Sequence, residues 1–179
     1  MAQTVRRWAD RGTEPWANGL GITHPLANGG GDGWRVSIAE IAGDAEFSRL
    51  PDIHRQFVCL GPTPIRLYVE DQPRDVAVGD ITLFSGGSQV RCEVEQPSLA
   101  LNVMSRIGTP ALSVQLLDLR AGGHVALPFV PRGLVVLLAG TAQLTTAAGA
   151  VELTRFDALD CHDTAVQLAG VGRAAFIVL

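Results

Sequence analysis

The run Phe57-Val58-Cys59-Leu60-Gly61, the alternating segment Ile65–Val69 and the turn Val76-Ala77-Val78-Gly79-Asp80 decide the fold, because their pattern returns later in the chain. The second copy is Val135-Val136-Leu137-Leu138-Ala139-Gly140, then Gln143-Leu144, then Val151-Glu152-Leu153-Thr154-Arg155-Phe156-Asp157. The Gly-to-Asp separations, 61 to 80 and 140 to 157, are 19 and 17 residues. Each half reads as strand, glycine corner, strand, turn, Asp, strand. An Asp at such a turn accepts backbone N–H groups and holds the corner, so Asp80 and Asp157 are read as structural. The seam between the halves falls near Thr109-Pro110 and divides the chain into domains 1–108 and 109–179.

The rest of the chain agrees with strands. Ile65, Leu67 and Val69 alternate with Arg66, Tyr68 and Glu70, and Val90, Cys92 and Val94 alternate with Arg91, Glu93 and Glu95. This is the period of a half-buried strand with a charged outer face. Twenty glycines and ten prolines punctuate these short segments, as expected when turns recur frequently. Only residues 44–49 suit a single helical turn. The expected architecture is all-β, two barrels docked in one compact unit with little helix.

Composition removes several function classes. The 179 residues are 47% hydrophobic with mean hydropathy +0.23, enough for a substantial core. The net charge of −4 and the scattered arginines give no nucleic-acid surface. Every one of the 14 cations is Arg, which excludes a lysine Schiff base or lysine general base. Cys59, Cys92 and Cys161 lie far apart in apolar runs and are read as reduced core thiols. The N-terminus lacks an apolar signal region, and the longest apolar run, 134–139, is far too short to span a bilayer. A cytoplasmic protein with no membrane partner is expected.

Near the N-terminus, Trp16-Ala17-Asn18-Gly19-Leu20-Gly21-Ile22-Thr23 precedes the strand Trp34-Arg35-Val36-Ser37-Ile38-Ala39-Glu40. Two spaced glycines allow a tight bend and close backbone approach, and Trp16, Asn18 and Thr23 place a stacking face, an amide and a hydroxyl around it. The following strand puts Arg35 and Ser37 on one face. This is either one wall of a small-molecule pocket or a glycine loop with a tryptophan plugging the core. Gly29-Gly30-Gly31 carries no phosphate-binding signature and reads as a surface hairpin.

Together with Phe47-Ser48, Arg55, Phe84-Ser85-Gly86 and Asn102-Val103-Met104, the W-x-N-G-x-G-x-T and S-I-A-E segments resemble the HutD/Ves family in order and spacing. The resemblance runs from about Val5 to the C-terminus. It implies a double-cupin fold and a link to histidine utilisation in bacteria, with no firmly assigned enzymatic activity. The chain departs from the family pattern at Ala17, Leu20 and Ala100, where Lys, Gly and Asp are usual.

Many cupins hold a metal through an H-x-H pair, a Glu and a later His. Here His24, His54, His124 and His162 include no two at that spacing, so no metal and no cofactor are expected. Phe84-Ser85-Gly86-Gly87 is not a nucleophile elbow. Binding groups are better represented. Arg55 opens an apolar strand, where its guanidinium either snorkels to solvent or enters the barrel; the resemblance favours the pocket. Asn102 is the one strongly polar side chain on the 99–104 strand, serving as an anchor or as a ligand contact. The expected ligand-binding set is Trp16, Asn18, Gly19, Thr23, Ser37, Arg55, Phe84 and Asn102, with no catalytic residue. The function this suggests is a metal-free binder of a small carboxylate or nitrogenous metabolite, accessory to or regulating histidine utilisation. The alternatives are a metal-independent isomerase, lyase or hydrolase using Glu40 or His54, and an interaction protein. The sequence is also compatible with a homodimer.

Overall fold

The structure, a computed structural model, describes residues 5–16, 19–109 and 112–179, the side chain of Asp32 excepted. Ala17, Asn18 and Pro110 therefore lie outside the described residues. The first strands are β1 (Val5–Arg6), β2 (Glu14–Pro15), β3 (Gly21–Asn28), β4 (Trp34–Ile41), β5 (Ala45–Glu46) and β6 (Ile53–Gly61). There follow β7 (Ile65–Val69), β8 (Gln72–Val76), β9 (Ile81–Ser85), β10 (Val90–Glu93) and β11 (Ser98–Arg106). The C-terminal strands are β12 (Ser113–Leu119), β13 (His124–Leu127), β14 (Arg132–Thr146), β15 (Gly149–Leu153), β16 (Ala158–His162) and β17 (Val166–Val178). Two 3-10 turns, Trp8–Asp10 and Gly30–Asp32, are the helical elements among the described residues. No helix there is long and apolar enough to cross a membrane. The protein is all-β.

The chain separates into two compact units, Arg11–Pro110 and Met1–Asp10 with Ala111–Leu179. In the first, a six-stranded antiparallel sheet runs β2-β3-β4-β11-β6-β9 and a four-stranded one runs β5-β10-β7-β8. Ile41, Phe57, Cys59 and Ala100 from the larger sheet form one core with Ile65, Leu67, Val69, Val90 and Cys92 from the smaller. The alternation of β7 and β10 is what divides these buried residues from exposed Arg66 and half-buried Arg91. Residues 44–49 do not make a helical turn. Ala45 pairs with Cys92, Glu46 pairs with Arg91, and the Phe47 N–H donates to the Val90 carbonyl at 2.8 Å. Extended backbone wins because it puts Ala45 and Phe47 together in the core.

In the second unit, β14 and β17 pair along almost their whole length, joined by β1, β12, β13, β15 and β16. Its core gathers Val135, Leu137, Leu144, Leu159, Leu168 and Phe176.

The internal repeat is present in the hydrogen bonds. In one unit the Gly79 N–H donates to the Cys59 carbonyl and the Cys59 N–H to the Asp80 carbonyl. In the other the Phe156 N–H donates to the Leu137 carbonyl and the Leu137 N–H to the Asp157 carbonyl. Asp80 accepts the Ala77 N–H, and Asp157 accepts those of Thr154 and Trp8, so both act as turn residues. Gly61 and Gly140, the two corners, have φ of 90° and 82°, where a Cβ is strained. A register shift between Leu137 and Ala139 accompanies the second corner.

Candidate functional site

The site is built on one face of the six-stranded sheet. In its register Arg35 lies beside Met104, Met104 beside Arg55 and Arg55 beside Phe84. One rung away, Ser37 is beside Asn102 and Asn102 beside Phe57. Directly opposed residues of antiparallel strands share a face, so Arg35, Ser37, Arg55, Phe84, Asn102 and Met104 all lie on the same side. A bend closes one flank. The Trp16 N–H donates to the Gly21 carbonyl and the Gly19 N–H to the Trp16 carbonyl, with Gly19 at φ 71°. Gly21 matters for a different reason. A Cβ there would stand 2.6 Å from the Glu40 carbonyl oxygen and 2.7 Å from the Trp16 ring, so glycine is what lets the indole lie down. The Trp16 Nε1–H then donates to Thr23 Oγ1 at 2.9 Å.

These elements surround a cleft of about 930 Å³ within this unit. Of the residues expected from sequence, Trp16, Thr23, Arg55 and Asn102 line it. Ser37 and Phe84 are buried on the same face without lining the cleft, and Gly19 shapes the bend from outside it. Asn18 lies outside the described residues. The lining also includes residues absent from that expected set: Phe47, Arg35, Met104 and Arg106, with Glu14 and Glu46. The periodicity of β4 put Arg35 on the Ser37 face. Its place beside Met104, with β11 between it and Arg55, depended on strand pairing, which no local pattern specifies.

Arg55 is the chemical centre. It is 7% exposed, so it enters the fold and does not snorkel. Its guanidinium sits 5.1 Å from the Phe47 ring centroid and 5.3 Å from that of Phe84, a cation–π setting made by two rings. Its Nη2 donates to Asn102 Oδ1 at 3.2 Å, while Nε is buried without a hydrogen-bond partner. No carboxylate pairs with it among the described residues. Burial pulls its pKa down to about 10, as expected for a desolvated cation. Arg35, by contrast, is neutralised by Glu14 at 2.6 Å.

The acid/base candidates are elsewhere. Glu40 Oε1 is bonded to His24 Nε2 at 2.8 Å, and neither Glu40 nor exposed His54 lines the cleft. The residues also do not fit the metal centre many cupins carry, because no three His, Cys, Asp or Glu groups converge among the described residues.

The HutD family model matches residues 9–178. The chain belongs to the HutD family. Within reach of this HutD chain is an uncharacterized 21.2 kDa protein of the hutC 3′ region in Pseudomonas putida, 37% identical over 86 residues. That match covers 45% of each protein, so the chain spans under half the length of this curated relative. It links the family to the histidine-utilisation locus. HutD from Pseudomonas fluorescens SBW25, in a structure with a formate condition, superposes with a TM-score of 0.81 at 24% identity, over 99% of this chain and 97% of that one. A cupin 2 conserved barrel domain protein from Leptotrichia buccalis superposes with a TM-score of 0.61 at 11% identity, over 89% and 88%. The fold of this HutD chain is therefore that of the cupins.

Proposed function

We propose that this HutD protein is a cytoplasmic small-molecule binder that takes a carboxylate metabolite of histidine breakdown at Arg55, serving as an accessory or regulatory factor of that pathway. The observation that carries this reading is a buried guanidinium that has, among the described residues, no counter-ion and an unpartnered Nε. Folding puts a cation in an apolar setting only at a cost, and an incoming carboxylate offsets it through a bidentate, charge-assisted pair. Asn102 holds the fork from one side, which leaves its NH2 group to donate to the same ligand. Phe47, Phe84 and the Trp16 flank fix the guanidinium plane and exclude water, which strengthens the pair. Glu14 and Glu46 at the cleft disfavour highly charged anions such as polyphosphates.

A thermal-shift screen tests this with formate as the minimal probe, then carboxylate intermediates of histidine breakdown, each beside its neutral amide. At about 100-fold excess over Kd the gain is roughly 2.7 kcal/mol, a rise of about 5–11 °C at this size. The amides should give no shift. Equal shifts from acid and amide, or none from any carboxylate, would reject the reading.

A further inference from the structure

We infer that Arg106 is a second specificity-determining residue of this cleft, reading a carbonyl or carboxylate oxygen at the far end of the molecule whose first carboxylate Arg55 holds. This role rests on Arg55 taking a carboxylate, and it narrows the ligand class to carboxylates that carry a second oxygen acceptor. Met104 lies beside Arg55 in the register of β11 with β6, and Arg106 follows Met104 by two residues. Residues two apart on a strand share a face. Arg106 therefore stands on the cleft face, diagonal to Arg55, with Cα atoms about 7–8 Å apart. Both line the cleft, but Arg55 is buried and Arg106 is exposed. One cation sits inside the fold and the other at the solvent side of the same cleft, with half-buried Met104 on the floor between them.

Two features set Arg106 apart. The first is its want of a partner. In this chain of net charge −4, Arg6, Arg7, Arg35, Arg66, Arg91 and Arg173 each hold an Asp or Glu at 2.6–2.8 Å. The Arg106 guanidinium has no ion pair and no hydrogen bond among the described residues, and Glu14 in the same cleft is already taken by Arg35. The second is the room made for it. The Arg106 N–H donates to the Gly33 carbonyl at 2.8 Å, and Gly33 has φ 71°. A Cβ on Gly33 would stand 3.1 Å from the Arg106 Cβ and 3.4 Å from its Nε, so the side chain lies along a strip that glycine leaves open. A guanidinium donates five N–H bonds and accepts none. Its planar fork matches a carboxylate or carbonyl, and it repels an ammonium. The distal group it selects is an oxygen acceptor.

The test titrates the full chain calorimetrically with formate and with straight-chain probes of about four to seven carbons, a range set by the diagonal spacing. At each length the α,ω-diacid is compared with the monoacid and the ω-amino acid. The wild type should bind at least one diacid about fivefold or more tightly than the monoacid of its length, as one added charge-assisted contact supplies, and no amino acid more tightly than the monoacid. Arg106→Met keeps the side-chain stem and removes the fork. It should abolish the diacid preference while formate and the monoacids bind as in wild type. A wild type without that preference, or a preference that survives in R106M, would overturn the role of Arg106 and leave that of Arg55 standing. An equal loss of formate binding in R106M would make Arg106 a source of general attraction and also overturn it. A wild type that binds no carboxylate would overturn both roles.

Discussion

Replacing Arg55 by Met separates a binding cation from a structural one. A guanidinium held near 10, well below its ordinary value, costs the folded state about 3 kcal/mol at neutral pH, at about 1.4 kcal/mol per decade of proton affinity. The folded-state value is lowered, so this penalty is in full force below about pH 10 and fades as pH rises above it. Met fills a similar volume and removes the penalty. Against this gain stand the cation–π contacts with Phe47 and Phe84, about 1–2 kcal/mol in a desolvated setting, and the orphaned Asn102 oxygen, about 1–3 kcal/mol. The opposing terms nearly cancel, and Arg55→Met should change unliganded stability by less than about 2 kcal/mol. Loss of one partner from a buried structural ion pair costs about 3–5 kcal/mol instead. Urea titration of the unliganded variant reads the first quantity, and calorimetric titration with formate or a larger carboxylate reads the second. The account requires near-native stability together with at least tenfold weaker binding. A variant that loses more than about 3 kcal/mol and still binds carboxylate would make Arg55 a structural residue and refute the reasoning.

Gly21→Ala should drive a methyl into the Glu40 carbonyl and the Trp16 ring, destabilising by about 1–3 kcal/mol as overpacking does. Trp16 fluorescence should shift with it, and carboxylate affinity should fall. Gly140→Ala should be worse: its Cβ would fall 1.9 Å from the Val171 carbonyl oxygen at φ 82°. Soluble expression should collapse there while Gly12→Ala, with open space around it, matches wild type. Desolvation pushes the Asp157 pKa up, but hydrogen bonds from the Thr154 and Trp8 N–H groups, Arg7 and the Thr154 hydroxyl outweigh it and hold the value below the ordinary carboxylate range. The stability it contributes is then complete above that range and lost as pH falls through the lowered value. Denaturation against pH should show Asp157→Asn less stable at neutral pH, with a smaller loss of stability on acidification than wild type.

The fold was legible because the repeat recorded backbone geometry: Gly61 and Gly140 occupy positive φ, and Asp80 and Asp157 cap turns. Those constraints are local, and local constraints show in sequence. The misread helical turn at 44–49 is an override by tertiary pairing, since β5 is held by β10 and not by its own propensity. The site was partly legible for the same reason. Trp16, Gly21 and Thr23 announce their bend within eight residues, and Arg55 and Asn102 stand out as polar groups on apolar strands. Phe47 does not, because it reaches the cleft from a separate segment whose position is set by packing across the core, and Arg106 does not, because it is an exposed cation at the very end of β11.

A crystal structure of the protein with formate or a bound carboxylate metabolite tests the central claim most directly. The account predicts the carboxylate in the cleft with both oxygens about 2.7–2.9 Å from the Arg55 guanidinium, one of them on Nε, and the Asn102 NH2 turned toward it. A carboxylate seated on the exposed arginines, with the Arg55 Nε still unpartnered between Phe47 and Phe84, would contradict it.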